Sequence, residues 1–153
     1  MHVRLLLAGL LCVAAAWPSF GADLPAPSPG GPGAPSLPAG IVGVEWEWSH
    51  FADGMAETTI SDPDHYTLSF SADGAVAIRA DCNRGRGTYS VADDRHISFG
   101  PAAVTRAMCP AGSLDSRFLG LLPRVASYFE LDGDLLLELP LDSGTLRFRR
   151  ASK

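Results

Sequence analysis

Short runs of alternating apolar and polar residues, each closed by a tight-turn sequence, fill most of the chain from Val44 to Arg150. Period-two alternation sends one face of an extended strand into a core and the other into water, which a helix cannot do. In the run at 44–48, Val44, Trp46 and Trp48 face one way while Glu45 and Glu47 face the other. Tyr66, Leu68 and Phe70 alternate with Thr67 and Ser69, and Val76, Ile78 and Ala80 line the inner side of the next run. Between them lies Ser71-Ala72-Asp73-Gly74, where Asp-Gly supplies the positive φ that a tight hairpin requires. A second hairpin joins 87–91 to 96–100 through a polar turn at 92–95. Residues 131–134 link a strand at 128–131 to one whose core face is Leu135, Leu137 and Leu139. Residues 141–145 then lead to a last strand carrying Leu146 and Phe148. The pattern predicts a meander of antiparallel strands.

One segment keeps another period. Leu114, Phe118, Leu121, Leu122 and Val125 recur at helical spacing, with Ser113 as N-cap and Asp115 in the first turn. Pro123 lacks an N–H and clashes with the preceding turn, so the helix kinks or ends near Leu122. Its apolar face must cover something, most simply one end of a strongly curved sheet. The expected fold is mainly β with one helix (α+β), a small antiparallel, β-barrel-like domain over residues 41–150. The stretch 51–65 reads as a long loop.

Before this domain the composition changes twice. Residues 1–22 have a positive start at Arg4, an apolar stretch from Leu5 to Trp17, and small residues at Ser19 and Gly21, the pattern of a cleaved secretory signal. The apolar stretch is too short to span a bilayer, and no later segment has the run that a transmembrane helix needs. Cys12 follows Leu11 rather than a small residue, so lipidation is not expected. Residues 23–40 are dominated by proline, glycine, alanine and serine. Such a segment cannot bury enough apolar surface to offset its ordering entropy and reads as a tether. The expected location is periplasmic or secreted. Removing residues 1–22 takes away Arg4 alone among the charged side chains, leaving 11 basic against 17 acidic residues. Without a basic excess to neutralise phosphates, nucleic acid is not an expected partner.

The order of motifs is itself informative. Phe70-Ser71-Ala72-Asp73-Gly74 precedes Cys82-Asn83-Arg84 and Gly87-Thr88-Tyr89, then come Thr105-Arg106 and Met108-Cys109, an amphipathic helix, and the two leucine- and arginine-rich strands at the end. Over roughly residues 42–150 this resembles the META/HslJ-like domain of small bacterial envelope and secreted proteins. The resemblance implies a compact, mostly β, barrel-like fold with one helix, and no agreed catalytic activity. It carries a loose association with heat-inducible expression, antibiotic tolerance and motility. Lipid-anchored members have a lipobox cysteine, from which this chain departs.

Residues 81–89, Asp-Cys-Asn-Arg-Gly-Arg-Gly-Thr-Tyr, raise the question of chemistry. Cys82 and Cys109 are an even pair in an oxidising compartment, so a disulfide is expected. Two buried free thiols are the alternative, and redox chemistry is disfavoured because no Cys-x-x-Cys is present. A phosphatase-type loop would need an arginine six residues after the cysteine, where Thr88 stands. Gly85 and Gly87 could make an anion-binding nest or simply a bend between strands. His50, His65 and His96 form no close-spaced pair, so no metal is expected, and no cofactor.

Asn83 lies where a strand meets the glycines, and its amide can satisfy backbone groups there. Arg106, between Val104 and Met108, is expected to be partly buried with Asp81 as its partner. Asp81, Asn83 and Arg106 would then form a polar clamp tying the two cysteine-bearing segments; the alternative is that Arg106 binds the carboxylate or phosphate of a ligand. Trp46, Trp48 and Phe118 either fill the core or line a pocket for a small apolar ligand. The sequence therefore predicts a non-enzymatic, exported, monomeric domain with a structural, stress-related or interaction role in the envelope. A small-molecule or lipid binder using the barrel mouth, or an inhibitor of a secreted hydrolase, is the alternative.

Overall fold

A computed structural model describes residues 36–92 and 95–152. The expected secretory signal, Cys12 and most of the 23–40 tether lie outside the described residues. Leu37, at the end of that tether, is buried against the core, and Ile41 is fully buried behind it. The domain thus takes hold a few residues earlier than the composition change implies.

The strands are β1 (Glu45–Ala52), β2 (Glu57–Thr59), β3 (Tyr66–Phe70), β4 (Ala75–Ala80), β5 (Asn83–Val91), β6 (Ile97–Phe99), β7 (Ala103–Val104), β8 (Ser127–Leu131), β9 (Asp134–Glu138) and β10 (Thr145–Arg150). They form one antiparallel sheet in the order β6-β5-β4-β3-β1-β10-β9-β8, with β2 paired to β1 and β7 to β5. The sheet curls until its two ends meet at a bridge between His96 and Ser127, where Ile97 N–H donates to Ala126 O at 3.0 Å. The turns fall where the sequence puts them. Gly74 has φ +83°, and Asp132-Gly133 has φ +54° and +86°, the paired positive values of a two-residue hairpin turn.

Strand β1 departs from the expected pattern. Its register against β10 shifts between Trp48 and His50, so Ser49 is a β-bulge, with its hydroxyl donating to Arg147 O at 3.0 Å. A bulge inserts one residue and inverts the alternation beyond it, so Phe51 rather than His50 turns inward and is buried. The strand therefore runs to Ala52 and folds back through β2, and the segment 51–65 is a hairpin and a 3-10 turn instead of a long loop. Glu47, on the outer face of this central strand, is also buried, with Arg149 Nε bonded to its Oε2 at 3.0 Å.

The core fills the inside of the curl. Trp46, Trp48, Leu68, Phe70, Leu135, Leu137, Leu146 and Phe148 are its largest fully buried strand-borne members. The one α-helix among the described residues, α1 (Asp115–Leu121), covers one end and continues as a 3-10 turn, Leu122–Arg124, in which Pro123 is tolerated because it sits in the first positions. Leu114, not Ser113, occupies the N-cap, although Ser113 Oγ does accept the Asp115 N–H at 3.3 Å. Leu114 N–H is instead satisfied by the Tyr66 hydroxyl at 2.8 Å. Phe118 is driven into the curl and stacks on Trp48, with ring centroids 5.1 Å apart.

Candidate functional site

The 81–89 segment is a tight turn followed by a strand. Asp81 takes φ +55°, a left-handed conformation that aspartate tolerates, and Ala80 pairs with Asn83 across the turn. Cys82 and Cys109 are joined in a disulfide, their Cα atoms 5.5 Å apart. Beside it, the buried Asn83 side chain ties down the segment after β7. Its Oδ1 accepts from Ala107 N–H at 2.8 Å and Thr105 Oγ–H at 3.0 Å. Its Nδ2 donates to Ala107 O and Asp115 Oδ2, both at 3.2 Å, and approaches Cys109 Sγ at 3.3 Å. One amide thus bonds the turn, the cysteine segment and the start of α1.

The expected Asp81–Arg106 pair does not form. Asp81 Oδ1 lies 3.2 Å from His65 Nδ1, and Arg106 is exposed, with no ion pair or hydrogen bond among the described residues. Met108 is fully exposed as well. The physical reason is that the chain leaves the sheet after Val104, because Asn83 captures the backbone of residue 107 and breaks the alternation that suggested burial. The contacts that tie the two cysteine-bearing segments are instead those of Asn83 with Thr105, Ala107 and Asp115, beside the disulfide.

The glycines resolve likewise. Gly85 and Gly87 lie inside β5 without positive φ, their backbones committed to sheet pairing, so they form no anion nest. A Cβ on Gly85 would stand 2.7 Å from Val104 Cγ2 and 2.9 Å from Ala103 O, and one on Gly87 would stand 3.0 Å from Ala102 Cβ. Glycine is there because β7 and the chain leading into it approach too closely for a side chain.

Beside that approach lies a cavity of about 760 Å³. It is lined by Val76 and Ile78 of β4, by Phe99, Gly100, Pro101, Ala102 and Val104, and by Leu119 and Leu122 of the helical segment. Gly87 also lines it and contributes no side chain to fill it. Thr105, Arg106, Asp115 and Ser116 supply polar groups around an apolar interior. Apolar walls with a few polar groups, in this volume range, are the usual character of a small-molecule site. Trp46, Trp48 and Phe118 do not line it. All three are fully buried, Trp46 Nε1–H donating to Ile41 O at 3.0 Å and its ring lying under the Arg150 guanidinium. The space expected between the tryptophans and the helix is solid core, because the stacked Phe118 occupies it. Sequence reasoning missed the lining of the true cavity. A strand of alternating glycines next to an amphipathic helix was its available signal.

Two of the three hydroxyls that line the cavity, those of Thr105 and Ser116, are engaged. Thr105 Oγ1 donates to Asn83 and accepts from Arg84 N–H at 3.0 Å, while Ser116 Oγ lies 3.5 Å from Asp115 Oδ1. A smaller depression of about 440 Å³ on the other side of α1 is bounded by Arg117, which lies over the Phe51 ring at 4.6 Å.

The family model described as META domain matches residues 39–153. No functionally curated protein matches the chain. Among solved structures, a protein from Burkholderia xenovorans determined by NMR is 22% identical with a TM-score of 0.61, the match covering 84% of this chain and 97% of that one. A crystal structure of a DUF4847-family protein from Bacteroides vulgatus is 16% identical with a TM-score of 0.54, covering 74% of this chain and 96% of that one. These likenesses are of fold, the curled antiparallel sheet with its covering helix.

Proposed function

The chain belongs to the META-domain family, and from that premise we propose that it is an exported, non-catalytic binding protein of the bacterial envelope whose cavity holds a small apolar or amphiphilic molecule. The observation that carries the reading is the cavity itself, about 760 Å³, lined mainly by apolar residues with a few polar side chains, and left open by glycine on β5. Export is supported by the signal pattern of residues 1–22, and the Cys82–Cys109 disulfide is compatible with an oxidising compartment. Among the described residues no helix is long and apolar enough to cross a membrane. A binding role is favoured over a catalytic one because three of the polar side chains at the cavity, Asn83, Thr105 and Ser116, are bonded to neighbouring protein groups.

Native mass spectrometry of the exported protein, purified without detergent, tests this. Bound species of a few hundred daltons, released on denaturation and lost in Leu119→Trp, are expected. Ligand-free protein that also fails to shift its melting temperature with apolar probes would contradict the reading.

A further inference from the structure

Resting on the reading of the cavity as a ligand site, we propose that its occupant is a single-chain amphiphile with an anionic, carboxylate-type head, held by Arg106 at the mouth while its tail lies between β4 and the helical segment. Two charged side chains border the cavity, Arg106 and Asp115. Asp115 is already used, its Oδ2 accepting from Asn83 and its Oδ1 facing the Ser116 hydroxyl. Arg106 has no such partner among the described residues, although the chain is acidic, with 17 carboxylates to 12 cationic side chains.

The contrast with the last strand is informative. Arg147, Arg149 and Arg150 are bonded to Asp134, Glu47 and Glu130. Arg106 instead stands on the segment that the Asn83 amide and the disulfide hold in place, so its backbone is fixed while its guanidinium remains available. A guanidinium offers five donors in a planar fork that matches a carboxylate in bidentate fashion. A cationic head would be repelled there, and a neutral one would leave the charge to water. Inside, Ile78, Phe99, Leu119 and Leu122 offer apolar contact along the cavity, and the volume is ample for one alkyl chain.

The test uses the mature protein with decanoate, decanol and decyltrimethylammonium as probes, each below its micellar concentration, by titration calorimetry at low and high salt. The proteins are wild type, Arg106→Gln, and two blocking variants, Leu119→Trp and Ala102→Phe, each checked for an unchanged melt. Decanoate is expected to bind wild type about 10-fold more tightly than decanol, as a charge-assisted pair allows, with decyltrimethylammonium weakest. The preference should shrink with salt and vanish in Arg106→Gln, and a blocking variant that folds should lose both decanoate and decanol. Equal affinity for decanoate and decanol, with both lost on blocking, overturns the anionic head and leaves the cavity reading standing. Decanoate preference that survives in Arg106→Gln overturns the role of Arg106. Absence of binding, or binding that neither blocking variant reduces, overturns the cavity reading and this inference with it.

Discussion

Removing the disulfide is the perturbation whose size follows most directly from the structure. Cys82 and Cys109 are 27 residues apart, and closing a loop of that length removes unfolded-state entropy equivalent to about 3.5 kcal/mol at 25 °C. In the folded state the loop stays shut without the bond. Asn83 still grips residues 105 and 107, and β7 still pairs with Gly85 and Arg86 of β5. The loss should therefore act on the unfolded ensemble, with little change in the native core. For a domain of 115 residues (39–153), with an unfolding entropy near 2.1 cal/mol/K per residue, about 3.5 kcal/mol corresponds to a fall in Tm of roughly 15 °C. Thermal melts of wild type, Cys82→Ser, Cys109→Ser and the double variant, with reductant present for the single variants, supply the assay. The two single losses should be similar, and the double variant should lose little more than either, since each substitution breaks the same bond. Strictly additive losses, or losses below about 1 kcal/mol, would refute this reasoning.

Three further outcomes follow from single residues. Asn83→Ala should destabilise the domain by about 2 kcal/mol, several hydrogen bonds of a buried amide being lost while the exposed 107 backbone rehydrates; chemical denaturation measures it. Gly85→Ala should cost about 1–3 kcal/mol, because the new methyl meets Val104 and the Ala103 carbonyl, and hydrogen exchange should show the Thr105 N–H, bonded to Arg84 O, exchanging faster. The Tyr89 phenol, held above its ordinary value of 10 by burial and then by the Asp73 carboxylate, ionises less readily folded than unfolded. Its contribution is therefore complete below pH 10 and lost as pH rises through the folded value, so stability should fall with alkali. Ultraviolet titration should find the Tyr89 phenol ionising late, a component that Tyr89→Phe removes, and that variant should flatten the alkaline fall.

Much of the fold was legible because alternation and turn chemistry are local signals. Strands β3, β4, β9 and β10 each present one face to the core, and Gly74 and Gly133 mark their turns. The failures have local causes too. The Ser49 bulge inverted the pattern of β1 and hid its continuation through Phe51 to the β2 hairpin. The apolar neighbours of Arg106 suggest partial burial, but exposure there is set by Asn83 pulling the chain out of the sheet, a contact made across 24 residues. The cavity was least legible of all. It arises from what Gly87 does not fill and from how far the helix stands off β4, and neither quantity is written in any single run of residues.

The central claim, that the cavity holds a ligand, is tested most directly by methyl-resolved NMR of the folded domain titrated with decanoate. The account predicts intermolecular NOEs and shifts at Ile78, Val104, Leu119 and Leu122, which line the cavity, and none at Leu135, Leu137 and Leu146, which are sealed in the core. Shifts confined to the outer face of the sheet, or no shifts at saturating probe, would contradict it.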